Sequence, residues 1–473
     1  MKLKTPIADG VTEYIKARPV RFHTPGHQGV FKDGIFKGSD ADITELSFSD
    51  NLLFSDGIIR QSENQAAELY GTQGTLFFTN GATAAVFTAV SALAVRGAYI
   101  AVGANCHRSV FSAAAVCGLK PVFYDTADDG GGYLLPANAD SIERLLKAFY
   151  DAAISGAEGI ERSLKNSAAN SAKKISAVVV TSPDYFGKCA EIKEIYKVTQ
   201  KYGVRLIIDA AHGAHFRYSA LLPDAAVGCA DYVIEGCHKT MPVYTGGALL
   251  HCNGSKLRLD AELKRAVFHS TSPQYITLAS IDYAIAELND NGEGLYRTLA
   301  ARTEKFYKQA ADAGFFIKNQ DGANCDFSRL VISCGEYSGA ELCGELEKKN
   351  IFAETAYGNR AVFILSPYNV GALDNLADAL KGIRLSRKAE RIDFPPRSGC
   401  VADADGVGNG IEYVSIDDIL GRTAASEIGV YPPGTPAVLR GEAITAAAFG
   451  YLSKHKDRLF GLIEGKVGVI KGG

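Results

Sequence analysis

Residues 235–251 read EGCHKTMPVYTGGALLH and place a lysine between two apolar segments. The preceding residues, 231–234, read DYVI, which is typical of a buried strand, and TGGALL predicts a second strand entered through a glycine turn. Most lysines lie on the surface, so the ordinary interpretation of Lys239 is a loop residue. Its predicted position at a junction between two buried strands raises the question of a chemical role, and the rest of the chain has to overturn the ordinary interpretation.

Alternating helix and strand patterns surround this junction from about residue 58 to residue 290. GIIRQSENQAAELYG predicts an amphipathic helix ending at Gly71, and DSIERLLKAFYDAA (140–153) predicts a capped helix. The predicted strands are TLFFT, YIAV, KPVFYD, AVVVTS, VRLIID, YVIEG and GALLH. This alternation predicts an α/β fold with a mostly parallel sheet covered by helices, in which reactive groups collect at the carboxyl ends of the strands.

Changes of pattern along the chain predict four parts. Residues 1–50 form a loop-rich N-terminal arm, 51–290 the large α/β domain, 291–390 a smaller α+β domain and 391–473 a turn-rich C-terminal domain with a final helix. Within the large domain, the Ser/Ala/Asn/Lys-rich residues 154–174 predict an exposed insertion without a catalytic role.

Composition narrows the function classes. The chain has 473 residues, enough for two or three domains, and a formal net charge of -3, which gives no reason to expect nucleic acid or an anionic membrane as a partner. No apolar run approaches the roughly 20 residues that span a bilayer, and the first residues lack the apolar core of an export signal. The ten cysteines are scattered without CxxC pairs, which predicts reduced thiols in a cytoplasmic protein and no metal site.

Asp209 ends the apolar strand VRLIID, where a carboxylate is costly unless it has a partner. It could hold a protonated heterocyclic nitrogen, or it could cap a helix. Ala211 is small enough to lie against a flat ring, and His212 could hydrogen-bond a ring oxygen. This segment is therefore a candidate seat for an aromatic cofactor.

Two further strand ends offer a phosphate site and an imidazole. In FFTNGATAAV a strand ends and small residues open a helix, so the N–H groups of Gly81, Ala82 and Thr83 can point at a phosphate with support from the helix dipole. In YIAVGANCHRSV, His107 follows a strand and a turn. Its imidazole could stack on an aromatic ring or be a satisfied core histidine.

Lys239 and His238 complete this set of groups. A lysine amine in apolar surroundings loses solvation of its charged form, so its pKa falls and the neutral amine can form a Schiff base. His238 beside it can reach a phosphate. The amine, phosphate cradle, stacking ring and acidic partner together suit pyridoxal 5′-phosphate, an electron sink whose aldehyde condenses with lysine.

Several segments resemble, in order, those of the Orn/Lys/Arg decarboxylases, which have the aspartate-aminotransferase-like fold (fold type I). The matching segments are FHTPGHQG (22–29), DITEL (42–46), AAELYG (66–71), NCHRSV (105–110), TSPDYFG (181–187), DAAHGAHF (209–216), CHKT (237–240) and GRTAASEIGVYPPGTPAVLRGE (421–442). The resemblance implies a large domain that binds pyridoxal 5′-phosphate, and a short form without the N-terminal wing domain. It also implies a homodimer or larger assembly with active sites at the interface.

The same resemblance implies a role for each candidate residue. Lys239 would form the Schiff base with the cofactor, Asp209 would pair with the pyridinium nitrogen and His107 would cover the ring face. His212 would approach the phenolic oxygen, while His238 and the amides of residues 81–83 would bind the phosphate.

The sequence departs from the family pattern near the predicted pocket. Gly236 replaces a serine, which removes a phosphate-site hydroxyl worth about 1 kcal/mol of cofactor binding. Asp184 replaces a threonine and adds a negative charge. Ala210, Gln28 and residues 440–442 (Arg-Gly-Glu) also differ from the pattern.

We therefore predict decarboxylation of a basic amino acid to the amine and CO2 in polyamine metabolism, with arginine first among substrates and lysine or ornithine next. The distal cation of such a substrate needs acidic partners, for which Asp184 and Glu442 are candidates. One alternative keeps the cofactor but changes the reaction to transamination or another aldimine chemistry. Another is a degenerate homologue that binds cofactor or a partner without turnover, which the substitutions around the pocket motivate.

Overall fold

A computed structural model describes most of the chain, namely residues 3–31, 33–129, 133–155, 174–318, 324–390, 410–431 and 434–471. The predicted insertion at 154–174 falls almost entirely outside these ranges. Within them, no helix combines the length and the apolar character that crossing a membrane requires.

The N-terminal part contains two helices joined by an irregular arm. Helix α1 spans Pro6–Lys16 and helix α2 spans Ile58–Tyr70. The buried residues of α2 recur every three or four positions, as expected for an amphipathic helix that packs one face on a core. The helix ends at Gly71, whose φ of 70° is a left-handed conformation that glycine adopts without steric cost, as the sequence predicted.

Seven strands form the central sheet. They are β1 (Gly74–Phe78), β2 (Tyr99–Val102), β3 (Lys120–Phe123), β4 (Ile175–Thr181), β5 (Arg205–Asp209), β6 (Tyr232–Glu235) and β7 (Ala248–Cys252). Their order is β1-β7-β6-β5-β4-β2-β3, and β7 alone among them runs antiparallel to its neighbours. The predicted mostly parallel sheet is confirmed, and its continuous apolar strands fit burial on both faces.

Helices cover both faces of this sheet. They are α3 (Gly81–Leu93), α4 (Arg108–Cys117), α5 (Ala139–Ser155), α6 (Ile192–Lys201), the single turn α7 (Cys237–Thr240) and α8 (Ser255–Phe268). Side chains of α3, α4 and α8 share an apolar core on one face, and those of α5 and α6 share a core on the other. Successive strand residues alternate between the two cores, which fixes the register of the sheet.

A single helix, α9 (Tyr275–Asp312), joins the large and small domains over 38 residues. Its first half packs against α1, and its buried residues belong to a core that continues into the small domain. A side chain at Gly292 would lie 2.8 Å from the Tyr218 Cβ and 2.9 Å from the Tyr218 oxygen, so glycine permits this close packing. The domain boundary predicted at 290/291 therefore falls inside one continuous element.

The small domain has the predicted α+β composition. Its elements are β8 (Phe316–Ile317), β9 (Arg329–Ser333), α10 (Gly339–Glu347), β10 (Thr355–Tyr357), β11 (Arg360–Ile364) and α11 (Ala372–Leu380). The four strands form an antiparallel sheet in the order β10-β11-β9-β8.

The C-terminal part forms two small sheets around a separate apolar core. Its elements are β12 (Ile411–Val414), β13 (Ile428–Val430), β14 (Thr435–Val438), α12 (Ala446–Lys454), β15 (Leu459–Phe460), β16 (Leu462–Ile463) and β17 (Lys466–Ile470). The Arg108 N–H donates to the Gly434 oxygen at 3.3 Å, which ties the loop before β14 to the start of α4. This contact brings the C-terminal part to the carboxyl edge of the central sheet.

Candidate active site

A cavity of about 440 Å³ lies at the carboxyl edge of the central sheet. The loops after β1, β2, β4, β5 and β6 all reach it, because parallel strands end at the same edge. Its lining includes all nine residues predicted to bind the cofactor, which are Gly81, Ala82, Thr83, His107, Asp209, Ala211, His212, His238 and Lys239.

Lys239 lies in α7, the single turn between β6 and β7, and its side chain is largely buried in the cavity wall. The Nζ atom is 3.1 Å from His212 Nε2. Burial lowers the pKa of Lys239, the Asp209 charge opposes this shift and the Arg329 charge adds to it. A lowered pKa increases the fraction of neutral amine, the form that attacks an aldehyde, so the surface-loop interpretation of this lysine is wrong.

Asp209 and His212 form the adjoining wall. Asp209 is 4% exposed, and its Oδ1 accepts a hydrogen bond from the Ala211 N–H at 3.2 Å. The Nη2 of Arg329, at the start of β9, donates to His212 Nδ1 at 2.9 Å. Burial lowers the pKa of His212 well below its usual range, and the charges of Lys239 and Arg329 reinforce this shift. Arg329 was not predicted from the sequence, because it lies in the small domain and outside the motifs that identified the other site residues.

His107 caps helix α4 with its own ring. Its Nδ1 accepts the Ser109 N–H at 3.2 Å and lies 2.8 Å from the Ser109 hydroxyl oxygen. Burial lowers the pKa of His107. The neutral ring is thus held in the cavity wall with its orientation fixed, and stacking on a cofactor stays a prediction.

The phosphate cradle predicted at residues 81–83 needs one correction. Gly81 turns the chain into α3 with a φ of 77°, and its N–H donates to the Gly246 oxygen at 2.7 Å. That amide is therefore already used. The N–H groups of Ala82 and Thr83 belong to the first helical turn, where no carbonyl of the same helix accepts them, and they remain the candidates for phosphate binding.

His238 adds a ring nitrogen beside this cradle. Its Nδ1 lies 3.0 Å from the Gly247 oxygen, so the Nδ1 proton is donated there and Nε2 is left for a ligand. Burial lowers the pKa of His238. A bound phosphate would favour the protonated ring, because an adjacent anion stabilises the imidazolium.

The Asn105 side chain tests whether this cavity suits pyridoxal 5′-phosphate. Both of its polar atoms are buried in the cavity wall, and neither has a hydrogen-bond partner among the described residues. A buried amide in this condition requires a polar partner, which a bound ligand would supply. Together with the lysine amine, the carboxylate and the helix N-terminus, these residues fit the cofactor. Asn105 was not predicted as a site residue, although it begins the NCHRSV segment that contains His107.

The structure explains the glycine that replaces the family serine two residues before His238. A Cβ at Gly236 would lie 2.7 Å from the Ala211 oxygen and 3.4 Å from Lys239 Cδ. The loop carrying Asp209 and Ala211 thus approaches too closely for a side chain, so the missing hydroxyl accompanies a tighter packing of the two loops.

We expect Gly236→Ala to lower the free energy of unfolding by about 1–3 kcal/mol, because the new methyl group must push the Ala211 carbonyl away. Chemical denaturation would measure the loss. The matched control is Gly294→Ala, on an exposed face of α9 where a Cβ meets nothing within 4 Å. The control should gain up to about 1 kcal/mol from helix propensity. Equal effects at both positions would contradict the close packing.

The two predicted substrate acids have different positions. Asp184 is 3% exposed and lines the cavity, and its Oδ1 accepts the Phe186 and Lys188 N–H groups at 2.8 and 3.0 Å. Burial raises the pKa of Asp184 to about 6. Glu442 does not line this cavity in the described chain, and its carboxylate closes a local turn by accepting the Leu439 N–H. The chain therefore brings Asp184 to the site and keeps Glu442 away from it.

Tyrosine rings from three parts of the chain line the cavity, a feature that the sequence interpretation missed. They are Tyr133, Tyr185, Tyr357 and Tyr431. The Tyr185 hydroxyl donates to Glu354 Oε1 at 2.6 Å, and its ring meets the His212 ring edge-on at 5.1 Å. Aromatic faces attract cations, so the Asp184 carboxylate and these rings form a wall suited to a positively charged group.

Comparisons with known proteins agree with this geometry. Residues 5–329 match the Orn/Lys/Arg decarboxylase major domain, and residues 395–459 match the C-terminal domain of the same family. The chain is 29% identical to Bacillus subtilis YaaO, an uncharacterized protein, over 96% of this chain and 94% of that one. It is 28% identical to an arginine decarboxylase of Halalkalibacterium halodurans over 96% and 93% of the two chains.

A solved structure, the Francisella novicida lysine decarboxylase LdcF, has the same fold with a TM-score of 0.79 and 17% identity, over 99% of this chain and 81% of that one. The family matches cover both the large domain with the cavity and the C-terminal part. The chain thus belongs to the Orn/Lys/Arg decarboxylase family, whose members are pyridoxal 5′-phosphate-dependent carboxy-lyases of fold type I.

Proposed function

We propose that arginine is the substrate of this basic amino-acid decarboxylase, with lysine and ornithine as the next candidates and polyamine metabolism as its setting. The observation that carries this choice is the cavity wall of four tyrosine rings beside the buried Asp184 carboxylate. A guanidinium is planar and weakly hydrated, and it stacks on aromatic faces better than an ammonium does. The cytoplasmic location, predicted from the scattered cysteines, belongs to the same proposal.

The residues of the cavity divide the work of decarboxylation. Pyridoxal 5′-phosphate, when bound, accepts the electron pair left at the α-carbon as CO2 departs. Asp209 would hold the proton on the ring nitrogen, and the Ala82 and Thr83 amides would bind the phosphate. Lys239 would hold the cofactor through its amine and, when not so engaged, would be placed to move a proton. The enclosing tyrosines exclude water from the departing carboxylate.

A panel of substrates tests the proposal. The purified protein, supplied with cofactor, would be incubated with arginine, lysine or ornithine while CO2 and the amine product are measured. We expect the highest kcat/KM with arginine and stoichiometric release of CO2 and amine. Keto-acid formation without CO2 would instead establish the transamination alternative, and preference for lysine or ornithine would overturn arginine as the substrate.

Asp184→Asn should raise the KM for arginine at pH 8 by about tenfold or more, because it removes a carboxylate partner of the substrate cation. The amide oxygen can still accept the Phe186 and Lys188 N–H groups, so the turn is preserved. Since the pKa of Asp184 is about 6, its carboxylate is ionised above that pH and becomes neutral below it. The KM of the unmodified enzyme should therefore rise as the pH falls through about 6, while that of the variant should not follow.

Glu442→Gln is the control for loss of one negative charge, because its carboxylate holds a turn outside the cavity. Its KM for arginine should stay within about twofold of the unmodified value. A tenfold increase in the control, or none in Asp184→Asn, would contradict the assignment of Asp184.

Exposed apolar residues between helices α1 and α2 support the proposed homodimer. Phe22, Ile35 and Phe54 are 95%, 91% and 75% exposed, and an apolar surface of this kind is typical of an interface. We expect sedimentation analysis to find a dimer, and the double variant Phe22→Asp/Ile35→Asp to weaken association at least about tenfold. Phe352→Asp, at a residue 71% exposed in the small domain, is the matched control and should leave the dimer intact. A monomeric unmodified chain would contradict this proposal.

A further inference from the structure

The two ring nitrogens of His212 contact different cations. Arg329 Nη2 lies 2.9 Å from Nδ1, and Lys239 Nζ lies 3.1 Å from Nε2. His212 is 9% exposed and Arg329 is 1% exposed. A guanidinium can only donate hydrogen bonds, so His212 Nδ1 must be the acceptor and carries no proton.

The absence of a proton on His212 Nδ1 determines where the protons between His212 Nε2 and Lys239 lie. A neutral imidazole without a proton on Nδ1 has its proton on Nε2, so Nε2 donates toward Lys239. The Nζ atom must then accept, which only a neutral amine can do. If Lys239 were an ammonium, two hydrogen-bond donors would face each other at Nε2. If His212 were an imidazolium, its Nδ1 proton would point at the Arg329 guanidinium, which is also a donor.

We infer that Arg329 is a positioning residue that fixes the tautomer of His212 and thereby keeps the Lys239 amine in its neutral, nucleophilic form. The inference rests on the proposed function only in taking Lys239 as the reacting amine. Arg329 acts from behind His212, since it is not among the described residues that line the cavity.

The segment that carries Arg329 is itself firmly anchored. The Ser328 hydroxyl donates to Asp326 Oδ1 at 2.7 Å, and His215 Nε2 lies 3.0 Å from Ser328 Oγ and 3.2 Å from Asp326 Oδ2. A Cβ at Gly187 would lie 2.8 Å from the Arg329 Cβ, so the loop after β4 packs directly on this residue. The small domain thus holds the guanidinium in place against two loops of the large domain.

The charged groups around Lys239 set the direction of the expected effect. Burial is the main influence and lowers the pKa of Lys239, Asp209 raises it, Arg329 lowers it and Glu354 raises it. His212 also faces the imidazoles of His107 and His238. Loss of Arg329 would remove a repelling charge and would also let His212 turn an Nε2 lone pair toward an ammonium. Both changes raise the pKa of Lys239.

The pH dependence of Lys239 acetylation tests the inference without any turnover. The full chain, freed of cofactor, would be treated with trace acetic anhydride over a pH series, and the peptide carrying Lys239 would be quantified by mass spectrometry. We expect Arg329→Met to raise the midpoint by about one pH unit, which is about tenfold less neutral amine at neutral pH. Arg329→Lys, which keeps a donor, should show a smaller shift.

Two controls make the test decisive. Arg360→Met removes another largely buried arginine of the small domain, one paired with Asp129, and should leave the Lys239 midpoint unchanged. In a His212→Ala background, Arg329→Met should produce a clearly smaller shift than in the unmodified chain. An unchanged midpoint in Arg329→Met, or an equal shift without His212, would overturn the inference. Because no substrate is used, either result is independent of which amino acid the enzyme decarboxylates.

Discussion

Lys239→Ala is expected to lower kcat for decarboxylation of the preferred basic amino acid by at least about 10³-fold. The largely buried amine lies 3.1 Å from His212 Nε2, and its lowered pKa increases the fraction of the neutral, nucleophilic form. Without this amine, the described lining of the cavity contains no lysine to hold the cofactor aldehyde, and it loses a group placed to return a proton. Release of labelled CO2 under saturating substrate and cofactor would measure the loss.

Lys193→Ala is a suitable control, because that lysine is 66% exposed and pairs with Asp224 at the surface. It should leave kcat unchanged. Borohydride treatment of the unmodified enzyme should attach the cofactor to the peptide carrying Lys239. Attachment at another lysine, or a fully active Lys239→Ala enzyme, would refute the assignment.

Asp209→Asn is expected to lower kcat by about 10²–10³-fold, the usual cost of losing one electrostatic partner in an active site. Asparagine has the same shape, and its oxygen can still accept the Ala211 N–H, so the loop should keep its conformation. The amide lacks the negative charge that holds a proton on the cofactor ring nitrogen, which weakens the ring as an electron acceptor. Steady-state decarboxylation at saturating cofactor would separate this effect from weaker cofactor binding.

The control for this variant is Asp231→Asn, which changes another buried aspartate next to the same sheet. Asp231 is 3% exposed and binds Arg205 and the Leu206 N–H near the amino ends of β5 and β6. It should reduce stability while changing kcat by less than about threefold. Similar kcat values for the two variants would show that charge at position 209 is not needed.

Much of this site could be predicted from local sequence because a parallel sheet brings the residues that follow its strands to one edge. Short apolar runs such as RLIID and YVIE define strands, and the residues following them meet at one edge once the strands are parallel. That is why Asp209 and Lys239, which are 30 positions apart, share one cavity. No distance information was required for this step.

What local sequence could not supply depends on packing between distant segments. Tyr357 and Tyr431 reach the cavity from the small and C-terminal parts, and Arg329 reaches His212 from β9. The role of Gly81 was misassigned because its amide partner, the Gly246 oxygen, is distant in sequence and precedes β7, the strand paired with β1. Glu442 has the carboxylate expected of a substrate-binding acid, but this carboxylate accepts the Leu439 N–H within its own turn.

The domain boundary predicted at 290/291 falls inside helix α9, at a point where the local sequence favours a turn. Residues 290–294 read DNGEG, and two glycines among polar residues ordinarily signal a turn. In the folded chain, Gly292 serves the close approach of Tyr218, and the helix continues through it. Tertiary packing therefore overrides a local preference that costs only about 1 kcal/mol per glycine.

Helix α9 also restricts how the enzyme can open and close. Sharp bends in helices arise mainly at proline or at glycine pairs. This helix contains no proline, and of its two glycines Gly292 packs against Tyr218 while Gly294 lies on the exposed face. A hinge motion of the small domain relative to the large domain would have to bend this continuous helix. We therefore expect substrate access to depend on local rearrangement at the cavity rim more than on rotation of the small domain about this helix.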